Sequence, residues 1–365
     1  MQYSTRDARA TPTFTPPHPS AKRWRLANSF NQALQRMAEL VTDHAPRQAP
    51  PSLGFNLRRH ESVMKLRIYV LLFFLAGLGS MVAVDISEQH EPTLSNISYG
   101  PDSRNILDFW MAVGDGPRPL LVYIHGGGWI TGDKTQKMPA FQPFLDRGIS
   151  CAAFNYRLAP DHPLPAPVYD AARAIQFLRT KAVEWNIDAK HIALTGPSAG
   201  ACTSMWLLLH DDLADPKAAD AVLRQSTRVC AAAVMVGQTS IDPKVIEGWL
   251  GPQVLTHPMI CLAVGEKTIE DALRNYDKHH DIYAEFSPIN HVDSHDPPLF
   301  MTCSAEMDLP SRDASHGIHH PIFGVKLKQR SDKIGHECHL VVPGFSTPEK
   351  YSDANDFLMA KLLSK

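Results

Sequence analysis

An α/β architecture, a largely parallel sheet with helices packed on both faces, is what this sequence of 365 residues predicts. Two features carry that expectation. Beyond Asp85, strand-like apolar runs alternate with segments whose apolar residues recur at helical spacing, which is the pattern of strand and crossover-helix units. With 44% hydrophobic residues and a formal net charge of -2, the chain also has enough apolar side chain to bury a sizeable core.

The elements follow in order. PLLVYI reads as a buried strand running into the glycines after His125, and SCAAF as a second strand. VYDAARAIQFLRTKAVEW carries apolar residues at helical spacing, and HIALTG is a strand that leads into a helix opened at Ser198. CAAAVMVG, PLFMTCS and ECHLVVPG are further strands, and YSDANDFLMAKLLS is the terminal helix. Residues 241–297 show no clear strand and carry helical pieces such as DALRNYDKHHDIYAEF; they are expected to cover the catalytic edge of the sheet as a small cap.

Charge and composition exclude several function classes. The isoelectric point near 6.8 and the interspersed charges give no basic stripe to follow phosphates, so nucleic acid is not an expected partner. The six cysteines are scattered singly and mostly inside apolar stretches, where they read as small core hydrophobes. His279, His280, His291 and His295 lie near Asp281, Asp293 and Asp296. Adjacent histidines face different sides of a helix, and no spacing typical of zinc appears, so no metal is expected.

The amino-terminal part reads differently. Residues 1–63 are rich in Pro, Arg, Gln and Ser and bury little, which predicts disorder or a start upstream of the true initiator. At Met64 a new pattern begins: Lys65 and Arg67, an apolar run, then small residues near Ala83. That is the layout of a secretory signal peptide over 64–84, with a retained membrane anchor as the alternative. On this reading translation starts at Met64, the mature chain begins near Val84 or Asp85, and the protein is secreted or periplasmic.

Two motifs carry chemistry. Gly196-Pro197-Ser198-Ala199-Gly200 lies between an apolar strand and an apolar helix. It fits the nucleophile elbow, a strained turn that presents a serine and needs small neighbours; the plain alternative is a serine N-cap. His125-Gly126-Gly127-Gly128-Trp129 follows the strand PLLVYI. Acyl transfer develops charge on the carbonyl oxygen and needs backbone N–H groups aimed at it, which glycines permit. The oxyanion donors are therefore expected at Gly126 or Gly127 and at Ala199.

HGGGWITGDK, FNYRLAPDHPLPAPVYDAARAIQFLR, NIDAKHIALTGPSAGA and EFSPINHVDSHDPPLFM together resemble the hormone-sensitive-lipase-like and feruloyl-esterase-like (BD-FAE-type) branches of the α/β-hydrolase superfamily, beginning near YGPDSRNILDFW. The resemblance implies an eight-stranded α/β-hydrolase sheet and a carboxylesterase activity with no metal or organic cofactor. It also implies substrates among short-chain carboxylic esters, including acetyl or feruloyl groups on polysaccharide. His125 would support the oxyanion loop, and the triad acid would sit in residues 306–310, at Asp308 with Glu306 as the alternative.

The family's histidine belongs in the loop after the last strand, which here reads VVPGFSTPEKYSDAND and has none. His336 and His339 open that last strand, and His339 lies about 13 Å from its catalytic end at ~3.3 Å per residue. His316, His319 and His320, in SHGIHHPIFG, remain as candidates. His316, in the less constrained part, is the expected base, and Trp129, Ile130 and Trp249 are candidate lining residues. If none of these histidines serves, the chain would be a binding protein on a hydrolase scaffold.

Overall fold

The computed structural model describes residues 91–365 except 137, 347–349 and 365. The expectations for residues 1–63 and for a leader at 64–84 lie outside the described residues. The described part belongs to one unit, Val84–Lys365.

Eight strands form one sheet: β1 (Leu94–Ser98), β2 (Ile106–Trp110), β3 (Arg118–Ile124), β4 (Ser150–Phe154), β5 (Ile187–Pro197), β6 (Ala231–Met235), β7 (Leu299–Thr302) and β8 (Cys338–Val341). Their spatial order is β1-β2-β4-β3-β5-β6-β7-β8. β1 pairs antiparallel with β2, and β2 with β4; every later pairing is parallel. The parallel strands are continuous apolar runs because both faces are covered. In β3, Leu120 to Ile124 are all buried.

One face packs Leu121 and Tyr123 against Phe144 of α1 (Gln142–Leu145) and against Phe357, Leu358 and Leu362 of the terminal helix. On the other face lie α2 (Ala166–Thr180) and α3 (Ala199–Leu209). Every residue of α3 is buried, as expected for a helix that is apolar all round and sits between sheet and outer helices. The cysteines behave as core residues: all six are free thiols and Cys230 alone is only half-buried.

The segment expected to form a cap is helical. α4 (Pro243–Leu250) starts at Asp242, whose carboxylate accepts from the amides of Lys244 and Val245, a capped start with proline in the first turn. A 3-10 turn (Pro252–Thr256), α5 (Met259–Leu262), α6 (Ile269–Arg274) and α7 (Tyr276–Glu285) follow. After β7 come α8 (Ala314–Ile318) and α9 (Ile322–Ile334), the latter closed by Gly335 in the left-handed region. α10 (Ala354–Leu362), capped by Asp353, ends the fold.

Candidate active site

Ser198 occupies the single residue between β5 and α3, with φ 52° and ψ -121°. A non-glycine residue there is strained by ~1–3 kcal/mol and persists only where its surroundings over-determine it. They do so here. The Ser198 amide donates to Met235 O at the end of β6 (2.9 Å), and Ser198 O accepts from the Cys202 amide (2.9 Å). A Cβ on Gly196 or Gly200 would lie 2.2 or 2.0 Å from Ile124 O. The spacing of those glycines is thus imposed by the close approach of the turn to the end of β3, and Ser198 stands directly beside the loop that β3 feeds.

That loop is rigid for reasons visible residue by residue. A Cβ on Gly126 would lie 2.9 Å from Pro197 O and 3.5 Å from Ser198 Cβ, which puts the first glycine against the serine. Gly127 has φ 103°, and a Cβ on it would meet Thr131 O at 2.1 Å. Trp129 also takes a positive φ of 59°; its indole donates to Thr203 Oγ1 on α3 (3.0 Å) and its carbonyl accepts from Ala159 (2.8 Å). His125 stacks on Tyr156 with ring centroids 4.1 Å apart, and its Nδ1–H donates to Gly126 O (2.8 Å). Burial pulls the His125 imidazole down to about 4, so it stays neutral and holds the loop as an uncharged ring.

Two cations finish the support. Arg104 donates to Gly132 O (3.0 Å) and Tyr156 O (2.7 Å), and Lys134 pairs with Asp108 of β2 at 2.6 Å, both buried. Neither side chain has a local pattern that marks this role, although Lys134 stands in the GDK that closes HGGGWITGDK. Trp129, expected to line the site, is 1% exposed and is a structural anchor. Trp249 packs edge-on against Phe323 of α9.

The imidazole that meets Ser198 belongs to His319, with Nε2 3.0 Å from Ser198 Oγ. This corrects the expectation of His316. Asp313 caps α8, its carboxylate accepting from the His316 amide, so the supposedly unconstrained part is a helical turn. His316 points inward, where its Nδ1 accepts from the Arg312 amide (3.1 Å). His319 ends the same turn, and its Nδ1 lies 3.2 Å from Ser315 O. A carbonyl can only accept, so Nδ1 carries the proton and Nε2 presents its lone pair to the serine hydroxyl. That is the tautomer a general base requires.

His320, the third candidate, accepts from the Ile322 amide at Nδ1 (3.0 Å) and donates from Nε2 to Asp308 O (3.2 Å). Burial and the neighbouring His316 bring it down to about 4. His316 and His320 therefore pin the loop after β7 to α8 and α9. Within that loop Glu306 pairs with Arg312, and the Asp308 side chain, 79% exposed, lies 3.9 Å from the same guanidinium.

A sheet of this order, with a strained serine between a strand and a helix and a glycine loop beside it, defines an α/β-hydrolase. The BD-FAE family profile matches residues 107–310, and the chain belongs to that family. Among curated proteins it is 31% identical over 211 residues to the probable carboxylic ester hydrolase LipM of Mycobacterium tuberculosis, covering 56% of this chain and 46% of that protein. It is 28% identical over 212 residues to the esterase LipQ of the same organism, 57% and 47% of the two chains. The chain thus spans about half the length of the curated relatives it matches. A carbohydrate esterase from gut microbiota superposes with a TM-score of 0.58 at 20% identity, over 76% of this chain and 99% of that one, a likeness of fold.

Proposed function

We propose that this chain is a serine carboxylic ester hydrolase. The observation that carries the reading is the 3.0 Å contact of Ser198 Oγ with an imidazole nitrogen held in the base-competent tautomer; the named esterase relatives support it. Ser198 Oγ attacks the ester carbonyl while His319 Nε2 takes its proton. The carbonyl oxygen, now negative, is held by the amides of Gly126 or Gly127 and of Ala199. Ala199 opens α3, where N–H groups have no intrahelical partner and carry partial positive charge. His319 then returns the proton to the leaving alcohol, and water, deprotonated by the same nitrogen, releases the acid from the acyl-enzyme. The family resemblance implies Asp308 as the triad acid, with Glu306 as its alternative; the His319 Nδ1 proton is here given to Ser315 O, and both carboxylates stand beside Arg312.

The substrates are short-chain or carbohydrate-linked carboxylic esters, the class that the family resemblance implies. Export through the segment at 64–84 would bring the enzyme to such material outside the cytoplasm; amino-terminal sequencing of exported protein should then begin near Val84 or Asp85. The deciving assay for the chemistry is hydrolysis of p-nitrophenyl acetate and butyrate with fluorophosphonate labelling of Ser198. Turnover lost in both Ser198→Ala and His319→Ala supports the reading. Absence of turnover and labelling in the unaltered protein would leave a binding protein on this scaffold.

A further inference from the structure

The histidine that meets Ser198 does not stand in the loop after β8 but at the end of α8, so its placement depends on what fixes that helix end. We infer that Gln238, in the turn after β6, is the positioning residue that sets His319 against Ser198; this rests on the serine hydrolase reading above. Gln238 is fully buried, at 0% exposure. Its Nε2 donates to Ile318 O at 2.6 Å, the carbonyl immediately before His319, and lies 3.4 Å from Val236 O. Ile318 ends α8, so its carbonyl has no intrahelical donor; the Gln238 amide supplies one.

The same turn grips the reacting residues from both sides. Met235 O accepts from the Ser198 amide (2.9 Å). Thr239 Oγ1 donates to Phe323 O at 2.8 Å, in the first turn of the helix beyond His319. Within five residues the chain therefore ties the serine backbone, the end of α8 and the start of α9. The turn is itself strained. Val236 has φ 45°, an outlier for a β-branched residue, fixed by its amide donating to Thr302 O (2.8 Å). The Gln238 Oε1 is buried and makes no hydrogen bond among the described residues. A leucine or methionine would avoid that cost, so the amide is explained by what its nitrogen does.

A donor lost at Ile318 O lets the end of α8 drift, and a misplacement of about 1 Å in a reacting group can cost ~10²-fold in rate. Gln238→Met, which keeps length and burial, tests this in the full chain. Expected are a fall in kcat of about tenfold or more, KM within about twofold, and no further loss when the change is added to His319→Ala. An unchanged kcat in a folded Gln238→Met protein, or an equal loss in the His319→Ala background, would overturn the role. Gln238→Leu serves as the second variant if the first does not fold. NMR titration of the His319 imidazole gives a readout without substrate: Ser198→Ala should shift it in the wild-type background and not in Gln238→Met. If the unaltered protein hydrolyses no ester, the esterase reading fails while this titration still decides whether Gln238 sets the serine–histidine contact; the same Ser198→Ala response in both backgrounds overturns it.

Discussion

Three histidines within five residues have three different fates because each nitrogen meets a different partner. His316 accepts an amide and is buried, His320 bridges an amide and the Asp308 carbonyl, and His319 is left facing Ser198. His319→Ala should lower kcat by ~10³-fold or more, as removal of a triad base does. His316→Ala should instead lower the thermal midpoint, by leaving the Arg312 amide without its acceptor, with a smaller effect on turnover. Measuring rate and melting temperature for both variants separates the roles, and a larger rate loss in His316→Ala would reverse the assignment. Asp308 is well exposed, and an exposed carboxylate is screened by water. Asp308→Asn should therefore cost about tenfold in kcat, far below the ~10⁴ seen where a triad acid is buried.

At the scale of elements, the serine turn, the glycine loop and α8 are held by backbone approaches that a single methyl would block. A Cβ on Gly317 would lie 2.7 Å from Val254 Cβ and 3.0 Å from Ser311 Oγ, so α8 rests directly on the 3-10 turn Pro252–Thr256. Gly317→Ala should push α8 off its seat, lowering kcat at least tenfold by moving His319. Adding Val254→Ala should restore part of the loss, and a double variant no better than the single one would show that the contact does not set the histidine. The Lys134 and Asp108 pair makes a second element-scale prediction. Lys134→Met alone leaves a buried carboxylate without its cation and should cost ~3–5 kcal/mol in denaturant unfolding, whereas Lys134→Met with Asp108→Leu should recover much of it.

For the whole molecule, the buried histidines set a pH dependence of stability. His125 and His320 are brought down to about 4 from an ordinary value of 6.5. Between those values the unfolded chain binds protons that the folded one refuses, so stability is full above pH 6.5 and falls as pH drops towards 4. Asp133 and Glu337, lowered to about 2 by their hydrogen-bond partners and nearby lysines against the pull of burial, add a further loss below about pH 4 with the same sign. Urea midpoints measured from pH 7.5 to 4.5 should decline through the histidine window. A flat profile there would mean that the two rings are accessible to protons in the folded state.

The strands from β3 to β8, the turn at Ser198 and the glycine loop after β3 could be read without coordinates, because each is a local consequence of residue type, whereas the entry strands before them rested on the family resemblance. Continuous apolar runs bury on both faces, and glycines stand where backbones touch. The partner of Ser198 was not legible in that way. The choice among His316, His319 and His320 turns on which carbonyl or amide each ring meets. Those groups come from Arg312, Ser315, Ile322 and Asp308, and the helical turn that sorts them depends on the Asp313 cap. The sequence by itself determined a largely parallel α/β sheet with a serine turn between strand and helix, since periodicity and glycine spacing suffice for both, while the α/β-hydrolase reading came from the resemblance of its motifs. Only the tertiary structure decided that α8 supplies the histidine. Hydrogen-bond geometry over a few ångströms is set by packing of α8 on the 3-10 turn Pro252–Thr256 and on the turn after β6, which no local pattern encodes.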